Sequence, residues 1–209
     1  MEDRRLVNGY YNYTVVLTYL GMLSGFTGII FAMGLRHKLA IICLMVAGLC
    51  DMFDGTIAAT KKRDAREKNF GIQIDSLSDL ICFGVLPAII LYGLSGNNLW
   101  VCAVGGIYAL CALIRLAYFN VCEEERQKKE SDSRKYYEGL PVTSAALIIP
   151  VAFLVRKAMN IQGSWFMIVI LLVMSMAFIS TFKLKKPHDT GKLFIGAAGI
   201  ALFAAMILL

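Results

Sequence analysis

Asp51-Met-Phe-Asp54-Gly55-Thr-Ile-Ala58 and, beyond a charged segment, Gly71-Ile-Gln-Ile-Asp75-Ser-Leu-Ser-Asp79 place four carboxylates in two long apolar stretches. A charged side chain at the centre of a membrane helix costs about 2.5–3.5 kcal/mol on an insertion scale. Four of them need a compensating partner, and a bound divalent cation is the cheapest. On a helix the i,i+3 and i,i+4 spacings put each pair on one face. Asp54 and Asp75 are equally far from the middle of the charged segment, near Asp64 and Ala65. Antiparallel helices rising about 1.5 Å per residue therefore hold them at one level, with Asp51 and Asp79 about a turn deeper. Such an oxygen-rich pocket suits Mg²⁺, Mn²⁺ or Ca²⁺. Unrelated aspartates hydrogen-bonded between helices would explain neither the spacing nor the matched depth.

The rest of the chain agrees with a membrane setting. Of 209 residues, 58% are hydrophobic, and the mean hydropathy is +0.65. That is far from soluble composition and predicts an all-α, polytopic transmembrane bundle forming one domain over residues 1–209. Apolar stretches of about 20 residues fall near 13–34, 39–60, 70–94, 98–121, 139–156 and 164–182, six core spans, with a seventh near 190–209. The first stretch is too long for a signal-peptide core and lacks a small-residue cleavage site, so it reads as a retained helix. No internal repeat or low-complexity tract is evident. The segment Glu123–Glu138 reads as a solvated loop or short helix, and Pro141 as the first turn of the fifth span.

Charge fixes the orientation. Sixteen Lys and Arg fall on one side: Arg4 and Arg5; Lys61, Lys62, Arg63, Arg66 and Lys68; Arg126, Lys128, Lys129, Arg134 and Lys135; Lys183, Lys185, Lys186 and Lys192. Four fall on the other: Arg36, Lys38, Arg156 and Lys157. The positive side is cytoplasmic, so the aspartates open toward the cytoplasm of a cell bounded by this membrane. The net charge of +6 then reports topology and contact with anionic membrane lipid, not nucleic acid. A soluble phosphate-bearing group would arrive from the cytoplasm, and a lipid sideways between helices. Cys43, Cys50, Cys82, Cys102, Cys111 and Cys122 contain no C-x-x-C pair and read as small core residues. His37 and His188 stand apart in loops. Tyr10, Tyr11, Trp100 and Trp165 sit near span ends as interface anchors.

The pattern Asp-x-x-Asp-Gly-x-x-Ala followed by Gly-x-x-x-Asp-x-x-x-Asp resembles the signature of the CDP-alcohol phosphatidyltransferases. Within that family, Asn69–Ala88, Arg115-Leu-Ala-Tyr-Phe-Asn120 and Tyr136-Tyr-Glu-Gly-Leu-Pro-Val-Thr143 look like the membrane-type serine-accepting members. The resemblance covers most of residues 10–160. It implies transfer of a phosphatidyl group from CDP-diacylglycerol to L-serine with release of CMP, two Mg²⁺ or Mn²⁺ ions, and a homodimer. It implies Asp51, Asp54, Asp75 and Asp79 as metal ligands, with Asp79 also the general base for the serine hydroxyl. Gly55, Ala58 and Gly71 match its small positions, where a nucleotide approaches the helix backbones. The signature usually carries Arg after the Ala, whereas this chain has Ala59. Lys61, Lys62, Arg63 and Arg66 are the candidates for the missing cation, and the sequence does not choose among them.

Arg115 and Asn120 are candidate substrate-binding residues. A guanidinium inside a span suits a carboxylate or a phosphate; the alternative is a structural pairing with an aspartate or with helix carbonyls. Asn120 lines the site or caps a helix end. Other acceptors, glycerol 3-phosphate or an inositol phosphate, and serine transfer onto an ether lipid stay open. A divalent-cation transporter would also carry intramembrane aspartates, but it calls for a polar path across the bilayer or broken helices in related halves. Here the carboxylates cluster near one face, and the outer halves are apolar.

Overall fold

The apolar stretches fold as helices in a computed structural model that describes residues 9–129, 136–185 and 189–208. Seven helices are present among those residues: α1 (Tyr13–Met33), α2 (His37–Ala58), α3 (Ala65–Leu94), α4 (Leu99–Lys129), α5 (Ala145–Ala158), α6 (Trp165–Ile179) and α7 (Asp189–Leu208). The first four are long and apolar enough to cross a membrane; α6 and the 196–208 part of α7 are shorter apolar helices. Side chains cap the starts of α1 and α3. The Asn12 carboxamide oxygen accepts from the Thr14 amide, and the Asp64 carboxylate from the Glu67 amide, each meeting an otherwise orphaned backbone donor.

The elements alternate between two ends. At one end Tyr13 lies 3.3 Å from Thr60 through their hydroxyls, and Asn12 donates to Glu67, so the start of α1 meets the α2–α3 loop. At the other end a Cβ on Gly93 would meet His37 at 2.6 Å, and Lys38 donates to the Ile207 carbonyl at 3.0 Å. The start of α2, the end of α3 and the end of α7 therefore share that end. His37 begins α2 rather than standing in a loop. His188 lies outside the described residues.

Three details depart from the sequence reading. First, α4 continues to Lys129, so the polar segment from Glu123 begins as helix; residues 130–135 lie outside the described residues. Second, Pro141 does not open the fifth helix. It is extended and precedes a 3₁₀ turn, Val142–Ser144, before α5 begins at Ala145. Third, a two-stranded antiparallel ribbon joins β1 (Tyr136–Glu138) to β2 (Lys183–Lys185). The second and third share a cause. Gly139 and Leu140 donate to the carbonyls of Phe182 and Ala177 at 2.8 and 3.0 Å, which holds the chain extended against the end of α6. Gly139 has φ +69°, and a Cβ there would meet the Ser180 carbonyl at 2.6 Å, so only glycine makes the approach without strain.

The core runs through the middle of the bundle. Ile41, Leu44, Leu86, Ile90, Ile149 and Leu171 are fully buried, while Leu20, Phe26, Ile30, Leu110 and Val173 face outward, apolar on the surface as lipid contact requires. Pro87 shapes α3. It has no amide hydrogen for the Phe83 carbonyl one turn earlier, and the helix widens to a π form over Leu80–Val85. The Tyr108 hydroxyl, on fully buried α4 surface, donates to that carbonyl at 2.9 Å. Tyr108→Phe should therefore cost about 1–3 kcal/mol, the price of a buried carbonyl left unpaired. It should lower the melting temperature in detergent; an unchanged value would mean that the carbonyl does not depend on this hydroxyl.

Candidate active site

The last turns of α2 and the first half of α3 form the site, and α1 roofs it. Asp51 and Asp54 project from α2 and Asp75 from α3, with carboxylate oxygens within 4.8 Å of one another. Asp79, one turn further along α3, lines the same small cavity with Thr18, Cys50, Ser78 and Cys82. That cavity holds about 10 Å³, the scale of a single water. Asp54 and Asp79 are buried, and no described lysine or arginine forms an ion pair with any of the four. Carboxylate oxygens this close, withdrawn from water and without a protein counter-charge, are a donor set that fits hard divalent cations.

The approach of α1 depends on small residues. A Cβ on Gly21 would lie 3.2 Å from Cys50 Cβ, one on Gly25 3.2 Å from Cys82 Cα, and one on Gly28 3.0 Å from Cys43 Cβ. The three thiols are thus packing partners of a glycine face, as their sequence context suggested, and all six cysteines are free. The close approach brings Thr18 to the metal-ligand candidates. Its hydroxyl donates to Asp54 at 3.2 Å, and Ser78 donates to the Thr18 carbonyl at 3.4 Å. Thr18 was not singled out from the sequence. The signal was present in Thr14, Thr18, Gly21, Gly25 and Gly28, small or hydroxylated residues recurring on one helical face.

Two larger cavities adjoin the aspartates. One of about 160 Å³ is lined by Asp54, Asp75, Gly55, Ala58, Gly71 and Arg63, together with Thr14 and Thr18. The three small positions of the motif therefore share one wall. A Cβ on Gly55 would meet nothing within 4 Å, so this glycine is not demanded by packing within the protein; it leaves space in the cavity. The other, of about 570 Å³, is apolar and lies between α1 and α3, lined by Tyr19, Met22, Leu23, Phe70, Ile74 and Leu77, among others. Thr18 and Ser78 also line it, and they stand between the apolar space and the carboxylates.

Arg115 and Asn120 are not among the residues lining these cavities. Arg115 is buried on α4, donates from Nε to the Leu140 carbonyl at 3.3 Å and lies 5.5 Å from the Phe119 ring. Asn120 accepts from Ser76 at 2.8 Å and donates to Gln73 at 3.5 Å, joining α4 to α3 beside Asp75. It caps no helix end, because α4 continues past it.

Comparison with known proteins agrees with this geometry. Residues 11–178 match the model of the CDP-alcohol phosphatidyltransferase family. A CDP-diacylglycerol–serine O-phosphatidyltransferase of Mycobacterium leprae (strain TN) is 30% identical over 204 residues, 92% of this chain and 66% of the relative. A protein of the same name from Saccharomyces cerevisiae is 34% identical over 153 residues, 68% of this chain and 54% of the relative. The archaetidylserine synthase of Methanothermobacter thermautotrophicus is 30% identical over 176 residues, 83% of this chain and 71% of the relative. The chain thus spans from about half to two thirds of the length of the first two. With the aspartates of both motif halves on one cavity and the family match running from α1 to the end of α6, this chain belongs to the CDP-alcohol phosphatidyltransferase family.

Proposed function

We propose that the protein transfers the phosphatidyl group of CDP-diacylglycerol to L-serine, giving phosphatidylserine and CMP. The observation that carries this reading is the convergence of Asp51, Asp54, Asp75 and Asp79 beside a cavity walled by Gly55, Ala58 and Gly71. The names of the three relatives share serine as acceptor and differ in the lipid, which supports serine ahead of glycerol 3-phosphate or an inositol phosphate. The cluster sits toward the end of the bundle that carries the α2–α3 loop. That placement favours an enzyme over a transporter with a path across the bilayer.

In this reading Asp51, Asp54, Asp75 and Asp79 hold Mg²⁺ or Mn²⁺, two ions by the family resemblance. Bound there, the ions supply charge stabilisation for the diphosphate in an in-line displacement. Thr18 orients Asp54 through its hydrogen bond. The serine hydroxyl oxygen attacks the phosphorus that carries diacylglycerol, and Asp79 takes the hydroxyl proton. The bond from that phosphorus to the oxygen bridging to CMP breaks, and CMP leaves with the electron pair. The apolar cavity between α1 and α3 gives an acyl chain a lateral way in past Thr18 and Ser78. The loop with Lys61, Lys62, Arg63, Arg66 and Lys68 faces the cytoplasm by the charge bias, so serine and CMP exchange on that side of the cytoplasmic membrane. The family resemblance extends to a homodimer.

CMP release from CDP-diacylglycerol should depend on L-serine and not on glycerol 3-phosphate or inositol phosphate, measured side by side with purified protein. Turnover with another alcohol and none with serine would reassign the acceptor. Gly55→Ala separates the site from the scaffold. Its Cβ meets nothing in the protein, and alanine is favoured over glycine in a helix by up to about 1 kcal/mol. The melting temperature should hold or rise while the KM for CDP-diacylglycerol increases about tenfold or more, as lost cavity space predicts. An unchanged KM would remove Gly55 from the nucleotide site.

A further inference from the structure

The α2–α3 turn presents several cations, and they differ in their surroundings. Lys61 is held by Glu67, Nζ to Oε1 at 2.8 Å. Lys62 and Arg66 are exposed, and Ala59, where the family signature carries its arginine, is exposed as well. Lys61 and Arg63 are both half-buried, but Arg63 alone among these cations lines the cavity shared by Asp54, Gly55, Ala58, Gly71 and Asp75. Its Nη1 would lie 3.0 Å from a Cβ on Gly71, so the guanidinium packs closely against the bare backbone of α3 at that glycine. Arg63 has no hydrogen bond or ion pair with any described residue.

The turn holds this arrangement from both sides. The Lys61–Glu67 pair closes one flank, and on the other Asp64 caps α3, its carboxylate accepting from the Glu67 amide at 2.6 Å. Arg63 lies between those two anchors. A guanidinium placed close to a carboxylate cluster without pairing to it is arranged for an anion that arrives with the cations of that cluster. Its planar fork matches phosphate oxygens.

We propose that Arg63 is a substrate-binding residue whose guanidinium holds the diphosphate of the CDP-linked lipid, supplying from the turn the cation that Ala59 lacks. The inference rests on the proposed CDP-diacylglycerol chemistry for the name of the substrate, but the site it assigns is one for a nucleoside diphosphate group. Losing a charged hydrogen bond to phosphate corresponds to about a tenfold or greater loss of affinity.

The test uses the full chain in detergent with two readouts, the KM for CDP-diacylglycerol and the calorimetric affinity for CDP in the presence of Mn²⁺. Arg63→Gln should raise that KM and weaken CDP by about tenfold or more, with the KM for serine within about twofold and the melting temperature unchanged. Lys62→Gln, in the same turn but exposed, should alter neither by more than about twofold. Ala59→Arg introduced into the Arg63→Gln protein should recover much of the CDP affinity. Arg63→Lys should fall between wild type and Arg63→Gln, because it keeps the charge and loses the fork. If wild type binds CDP but serine elicits no CMP release, the acceptor reading fails while the CDP measurement still decides Arg63. Arg63→Gln with wild-type CDP affinity and wild-type KM for the lipid overturns the proposal.

Discussion

Four carboxylates in an apolar bundle impose the constraint on which the rest of the structure depends. They face one another across the α2–α3 interface, with oxygens of three within 4.8 Å, and no described basic side chain neutralises them. Mutual repulsion in a low-dielectric interior is strong, so the cluster calls for cations from outside the chain. Everything around it keeps the carboxylates close. The Gly21, Gly25 and Gly28 face draws α1 down onto Cys50, Cys82 and Cys43, and Thr18 ties Asp54 to α1. The π-helical stretch after Asp79 begins where the functional half of α3 ends. The Tyr108 hydroxyl then meets the Phe83 carbonyl that Pro87 leaves without an amide donor.

The site is also a boundary between two solvents. The two smaller cavities hold the aspartates, Arg63 and the motif glycines, whereas the space between α1 and α3 is apolar and large enough for part of a lipid chain. Thr18 lines all three cavities and Ser78 two of them. A lipid-linked nucleotide has the same division within one molecule, a charged diphosphate joined to hydrocarbon. The proposed substrate therefore matches the arrangement in kind: head toward the carboxylates, tail between the helices.

Much of this was legible in the sequence. The hydropathy runs located the four helices long enough to cross a membrane, because a span has to hide its backbone polar groups within one long apolar segment, and they also marked the shorter helices after them. The aspartate spacing located the cluster because helical periodicity and antiparallel depth are both set by backbone geometry. What was not legible came from contacts between distant segments. Pro141 reads locally as a helix start, yet bonds from Gly139 and Leu140 to the end of α6 hold it extended. The ribbon pairs Tyr136–Glu138 with Lys183–Lys185 across more than forty residues, and no local pattern announces it. The Leu140 carbonyl that accepts from Arg115 Nε is likewise set by the fold of the α4–α5 connection, which no local pattern at Arg115 announces. The choice of Arg63 over its neighbours depended on which way one turn faces, which composition does not encode.

The most direct measurement is Mn²⁺ binding to the purified chain by electron paramagnetic resonance, with and without CDP. A four-carboxylate centre predicts about two ions per chain, magnetically coupled through their closeness, and loss of that signal in Asp54→Asn and Asp75→Asn with the fold intact. No bound Mn²⁺ in wild type, or binding that survives both substitutions, would contradict the metal centre on which this reading of the protein rests.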